Sequence, residues 1–107
     1  FMVYLMKGAG LSENLFQDFI YPHSYKKQGV YWGLGCEILP DLTLKEDFAV
    51  MHGGGDYGLK TLMILIPTQK KGIVIFSNSE NGMRTWKKLV EAYFGELGEE
   101  IVKRQLE

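Results

Sequence analysis

Leu59-Lys60-Thr61-Leu62-Met63-Ile64-Leu65-Ile66, closed by Pro67, admits two readings, and the choice decides the fold. Leu59, Leu62, Met63 and Ile66 have helical spacing. A helix here, straight after Gly53, Gly55 and Gly58, would complete a G-x-G-x-x-G dinucleotide-binding turn, with Glu80 near the place of a ribose-binding acid. Against it, Pro67 would stop such a helix after barely two turns. Thr61 and the Ile64-Leu65-Ile66 run favour extended backbone. We read a strand, and rank the dinucleotide-binding unit third among the functional readings. Leu62 to Ile66 has no polar alternation, which predicts a strand covered on both faces.

Working outward, Val30 to Leu39, Phe48 to His52 and Gly72 to Ser77 are also strand-like, rich in β-branched and aromatic residues. Gly33 and Gly35 interrupt the first, marking a bulge or a close backbone approach. Pro40-Asp41 begins a turn, and Thr68 to Lys71 is a short polar hairpin loop. Strands this close in sequence predict an antiparallel meander. Before them, Phe1 to Lys7 reads as a helix end stopped by Gly8 and Gly10. Ser12 is placed to cap a short helix through Leu15, Phe16, Phe19 and Ile20. Tyr21 to Gln28 reads as a polar loop. From Met83 the period changes: Trp86, Leu89, Val90, Tyr93, Phe94 and Leu97 form one apolar helix stripe. Gly95 and Gly98 weaken its end, and Glu99 to Gln105 adds a frayed turn or two. The expected fold is α+β: an antiparallel sheet of about four strands, a C-terminal amphipathic helix packed on it through Trp86, Leu89, Val90 and Phe94, and short N-terminal helices.

Composition narrows the function classes. Among 107 residues, 46% are hydrophobic and 23% charged, as in an ordinary globular domain. Twelve Lys and Arg against thirteen Asp and Glu give a net charge of −1, and the pI is about 6.2. That balance disfavours a nucleic-acid partner, as does the absence of a basic stripe interleaved with aromatics. No apolar run reaches the roughly 18 residues of a membrane span. The single cysteine, Cys36, excludes an internal disulfide and reads as a buried structural thiol. The two histidines, His23 and His52, lack a second His or Cys at ligand spacing, so we expect no metal, and no motif calls for a cofactor. The chain reads as a single fragment, 1–107, of a longer hydrolase domain: Phe1-Met2-Val3-Tyr4-Leu5-Met6 is apolar from the first residue, and Leu106-Glu107 could be a scar of a joined tag.

The densest feature is His52-Gly53-Gly54-Gly55-Asp56-Tyr57-Gly58. Glycine costs conformational entropy and brings no side chain to a core, so four in six positions point to a turn or to a ligand approaching the backbone. Ser24-Tyr25-Lys26-Lys27 matches S-x-x-K, but that motif needs serine at the start of a buried helix, and this one falls in a polar segment after Pro22. Chance explains it better.

Tyr31-Trp32-Gly33-Leu34-Gly35, then His52-Gly53-Gly54, then a hydrophobic hairpin ending Phe76-Ser77-Asn78, then a final helix, resembles the C-terminal part of the serine β-lactamase-like hydrolases. That family includes penicillin-binding proteins, class C β-lactamases, D-aminopeptidases and esterases. The resemblance covers nearly the whole chain and rests on order and spacing. It implies a partial β-lactamase-like domain that supplies the third active-site motif, here His52-Gly53-Gly54. His52 would be the catalytic cleft-edge group. The backbone N–H of Gly55 would be one oxyanion donor. Gly53, Gly54 and Tyr57 would bind a small-molecule or peptide-like substrate. The parent reaction would be acyl transfer from an amide or ester. The chain has no Y-x-N, so nucleophile and base would lie in an N-terminal region of the same protein, this piece alone would be inactive, and its bare apolar surface, on Phe1 to Met6 and beside the glycines, would favour self-association. The resemblance suggests a periplasmic or extracytoplasmic setting. The rival reading is a non-catalytic binding or structural module with the same sheet.

Overall fold

The computed structural model describes residues 2–79 and 81–106. Expectations that rest on Phe1, Glu80 and Glu107 concern residues outside that range. The protein is α+β, with a six-stranded antiparallel sheet between two pairs of helices. In chain order the elements are α1 (Met2–Met6), α2 (Glu13–Phe19), β1 (Ser24–Lys27), β2 (Val30–Trp32), β3 (Glu37–Leu39), β4 (Ala49–Asp56), β5 (Leu59–Ile66), a 3₁₀ turn (Pro67–Gln69), β6 (Lys71–Ser77), α3 (Gly82–Phe94) and α4 (Glu96–Leu106). Strand order in space is the order in the chain, β1 to β6, and every neighbouring pair is antiparallel.

Leu59–Ile66 is a strand, hydrogen-bonded to β4 on one side and β6 on the other. Its side chains alternate between two apolar layers, which is why it lacks polar alternation. Leu62, Ile64 and Ile66 join Met51, Ile75, Trp86, Val90, Phe94 and Ile101 under α3 and α4. Leu65 and Met63 join Val50, Ile38, Cys36 and Leu5 under α1 and α2. The dinucleotide reading is corrected here. Gly53 to Gly55 lie inside β4, and no helix follows them to carry a pyrophosphate at its N-terminus.

The two further strands come from segments read otherwise. The stretch from Val30 to Leu39 folds back at Gly33 to Cys36 into β2 and β3. There the Gly33 N–H donates to the Cys36 carbonyl at 2.7 Å, and a Cβ on Gly33 would sit 2.8 Å from the Phe19 carbonyl oxygen. Gly35 has φ +99°, open to glycine and strained for other residues. Ser24–Lys27, read as part of a polar loop, is the edge strand β1; its polar side chains face water, and Tyr25 meets Tyr31 edge to face across the pair.

Ser12 caps α2, its hydroxyl accepting from the Leu15 N–H at 3.3 Å. On α3 the buried row is Gly82, Trp86, Val90 and Phe94, one residue in four. Leu89 and Tyr93, expected to share that face, are 44% and 47% exposed; the contact follows the i, i+4 ridge alone. The segment after Phe94 is a full second helix rather than a frayed turn or two. Gly95 breaks direction at φ +65°, and α4 then carries Glu96 and Glu99 in its first turn and Lys103 and Arg104 in its last, the arrangement the helix dipole favours. Leu97, Ile101 and Val102 bury against the sheet.

Two polar centres fix the loops. The Asp47 side chain, in a residue only 6% exposed, accepts from the Thr43 hydroxyl at 2.9 Å, from the Thr68 hydroxyl and from Gln69 Nε2 at 3.3 Å. Those bonds, Thr68 foremost and Thr43 next, hold its carboxyl below the ordinary carboxylate range. Arg104 donates to the carbonyls of Gly29, Pro40 and Asp41 and to Glu100, tying the last turn of α4 to the β1–β2 and β3–β4 connections.

Candidate functional site

The glycine run forms the distal half of β4. The β4–β5 hairpin closes through a two-residue turn, Tyr57-Gly58, in which Gly58 has φ +75°. A two-residue turn makes the flanking pair, Asp56 and Leu59, a hydrogen-bonded one. Counting back along the ladder, Gly54 and Thr61 are also hydrogen-bonded, whereas Gly55–Lys60 and Gly53–Leu62 are not. The positions of the Leu59 and Thr61 carbonyl oxygens, 3.7 and 3.8 Å from where a Cβ would stand on Gly55 and Gly53, agree with this phase. Gly53 and Gly55 therefore turn their N–H and C=O groups away from β5.

Among the described residues nothing pairs with them there. The β3–β4 ladder ends at Glu37 opposite Met51, so among the described residues the β3-facing edge of β4 is open from Gly53 to Asp56. This is a backbone edge in the middle of the sheet order, exposed because β3 is only three residues long. None of Gly53, Gly54 and Gly55 has positive φ, so the run is not explained by turn geometry. Packing explains only Gly54, whose Cβ would come within 2.5 Å of Thr61 Oγ1; nothing lies closer than 3.8 Å at Gly53 or 3.4 Å at Gly55.

The edge runs between two cavities, one on each face of the sheet. On the α1–α2 face, a cleft of about 700 Å³ is lined by His52, Thr61, Met63, Val74, Phe76 and Leu34, with Cys36 in its wall. On the α3 face, a smaller cavity of about 190 Å³ meets Gly53, Gly54, Lys60, Ser77, Trp86 and Glu37. His52 is exposed and opens into the larger, mainly apolar cleft. Burial raises the Cys36 thiol above its ordinary pKa, so this sulfur stays protonated and is a poor nucleophile.

The structure thus brings His52, Gly53, Gly54 and Gly55 together along one edge. It sets Tyr57 apart: that ring is 96% exposed at the hairpin tip and lines neither cavity. Its backbone N–H donates to Asp56 Oδ1 at 2.7 Å, a local turn bond. Thr61 and Lys60 were not singled out from sequence and belong to the site. They stand directly across the ladder from Gly54 and Gly55, and Lys60 Nζ lies 3.4 Å from the Cβ position of Gly55. The two-residue turn would have placed both, had the strand been extended past His52.

Ser24 and Lys27 are on the far edge strand, not at a helix start. β1 lies three strand positions from β4, about 14 Å at the usual strand spacing, and Lys27 Nζ donates to the Gln105 carbonyl. His23 bonds the Asp18 carbonyl oxygen at 2.7 Å. Among the described residues no group of three or more His, Cys, Asp or Glu could hold a metal ion, and no helix is long and apolar enough to cross a membrane. In comparisons with protein-family models, curated proteins and solved structures, nothing matches this chain.

Proposed function

We propose that this chain is the C-terminal portion of a serine hydrolase of the β-lactamase-like type, contributing one wall of an acyl-transfer site. The observation that carries this reading is the open β4 edge, where Gly53 and Gly55 present backbone groups beside a cleft holding His52. In the proposed mechanism an amide or ester substrate lies along that edge, with the missing side chains of Gly53 to Gly55 letting its backbone come close. The Gly55 N–H, held by the hairpin, donates to the carbonyl oxygen as it gains negative charge; a donor fixed before reaction stabilises that charge without reorganisation. His52, at the start of the edge, interacts with substrate polar groups or the leaving group. Nucleophile and activating base come from sequence N-terminal to this chain, and the second oxyanion donor is the nucleophile's own N–H.

The test has two arms. Intact-mass spectrometry of this chain after treatment with a fluorophosphonate or a β-lactam should show no adduct, with Ser24 unlabelled. The full-length parent should label, and His52→Ala in it should lower turnover by about 10- to 1000-fold. Gly53→Ala should raise KM while leaving folding intact, since a methyl there meets nothing closer than 3.8 Å. A parent that forms no acyl-enzyme would instead leave the sheet as a non-catalytic module, and a stoichiometric adduct on Ser24 would make this chain an enzyme in its own right.

A further inference from the structure

The sheet face under α3 and α4 has a gap. Met51 and Leu62 both point into that layer. Gly53 follows Met51 by two positions and stands opposite Leu62, so a side chain there would point the same way. It has none, and a Cβ on Gly53 would meet nothing closer than 3.8 Å. Yet α3 itself comes down close: at Gly82 a Cβ would lie 2.9 Å from Lys60 Cβ and from Ser77 Oγ. The helix is held near the sheet while the place at Gly53 is left open, and the result is the cavity of about 190 Å³. A valine at position 53 would fill it, favour the strand and enlarge the core. Glycine in a strand interior does the reverse, and marks a place that something else approaches.

The lining says what that is. Met51, Leu62, Ile75 and Trp86 form the floor, and all are buried. Two polar groups beside them are engaged: the Trp86 Nε1–H donates to Met83 Sδ at 2.7 Å, and Gln105 Nε2 donates to Glu37 Oε2 at 2.7 Å. Among the described residues no buried side-chain nitrogen or oxygen lacks a partner. The floor therefore asks for no hydrogen bond, and a polar or charged group placed on it would lose hydration without a return. The thioethers of Met51 and Met83 line the cavity with the Trp86 indole, and sulfur makes favourable contacts with aromatic rings. A cavity of about 150 Å³ holds benzene, so this one takes a single ring with a short stem. Its lining residues all belong to β3–β6, α3 and α4, so the gap is defined within this chain. The exposed Gly53 and Gly54 join it to the open β4 edge.

Granting the substrate wall proposed above, we propose that this cavity is the subsite for one uncharged aromatic ring on the substrate. An amide or ester lying along β4 drops its ring through the space where Gly53 lacks a side chain, onto Leu62 and Trp86. Gly53 is then the residue that sets this specificity, and its cost to the strand is offset when the ring is bound.

Benzyl alcohol is the probe, and NMR signals from labelled methionine methyls report where it sits. In this chain it should shift Met51 and Met83 with a dissociation constant of about a millimolar, as suits so small a ligand. Cyclohexylmethanol, without the aromatic ring, should bind about threefold more weakly. Met2 and Met63 line the opposite cleft and report binding there instead. Gly53→Val should keep the circular dichroism spectrum and abolish the shifts at Met51 and Met83. Gly53→Ala, which adds a single methyl and serves if valine disturbs the strand, should weaken binding by about tenfold. The full-length parent should bind the probe at the same two methionines. In it, Gly53→Val should lower the preference for an ester bearing a phenyl ring over its alkyl counterpart by about tenfold. Unmoved Met51 and Met83 signals, shifts confined to Met2 and Met63, or a full-length parent whose cavity does not take the probe would overturn the proposal. A parent that binds the ring at Met51 and Met83 but forms no acyl-enzyme would keep the ring site and refute only the hydrolase reading.

Discussion

Gly98 sits in the first turns of α4, where sequence rules and packing predict opposite signs for Gly98→Ala. Its backbone is ordinary helix, with no positive φ, so helix propensity alone predicts that alanine stabilises by about 1 kcal/mol. Packing opposes this. A Cβ there would overlap the Val90 carbonyl oxygen and would lie 2.9 Å from the Val90 carbonyl carbon and 3.0 Å from Glu91 Cα. These are backbone atoms of α3, beneath Val90, which is itself fully buried. They cannot swing aside as the end of a flexible side chain could. Relief requires the start of α4 to back away by about an ångström, lifting Leu97 and Ile101 from the sheet, and overpacking of this kind costs about 3 kcal/mol, the upper part of the usual range. The net is a loss of about 2 kcal/mol. With a urea slope near 1.5 kcal/mol/M, the midpoint should fall by about 1 M. Glu99→Ala, on the exposed side of the same turn, is the control and should move it little. A Gly98→Ala variant as stable as the unaltered chain, or more so, would refute the claim that α3 and α4 touch through their backbones.

Asp47→Asn should lower stability at pH 7 by about 1–2 kcal/mol through weakened bonds to Thr43, Thr68 and Gln69. Because the Asp47 carboxyl is held below its ordinary value, its contribution is present above the unfolded pKa, about 3.9, and fades as the pH falls through the lower folded value. Urea titrations at pH 7 and pH 3 should therefore find the gap between the two proteins narrowing in acid; a constant gap counts against the carboxylate. Glu46, at φ +64°, is a non-glycine residue in the left-handed region, so Glu46→Gly should raise stability by about half a kcal/mol once glycine's extra unfolded-state entropy is offset. Thermal unfolding measures it, and a loss would mean that the loop is not strained there.

What could be read from the sequence followed burial. Leu59 to Ile66 was legible as a strand because burial on both faces removes polar residues and leaves a run that Pro67 bounds. Ser12 was legible because capping is local chemistry. The sheet's two extra strands were not. β1 is polar because it lies at an edge, and the glycines that interrupt Val30 to Leu39 mark a close backbone approach, met at Gly33 by the Phe19 carbonyl, without showing that the strand folds back there. Gly98 was read as weakening a helix when it admits one helix against another. At the site, His52 and the glycines were visible as a motif, and their resemblance to a hydrolase wall remains a proposal. The open edge was invisible, since it depends on where β3 stops. Lys60 and Thr61 were hidden because the strand was ended at His52, four residues short of Asp56.

The identity of strand order and chain order carries a consequence for how the protein forms. Each strand docks on the one made just before it, so every ladder closes over a short loop and little chain entropy is lost at any step. A chain leaving the ribosome can therefore zip its sheet in the order of synthesis, without waiting for a distant partner. The exception is the last turn of α4, whose Arg104 reaches back across the chain to Gly29, Pro40 and Asp41. That side chain acts as a latch on a sheet already assembled. Arg104→Leu should accordingly leave the refolding rate nearly unchanged and speed unfolding, placing α4's final turn on the late side of the folding barrier.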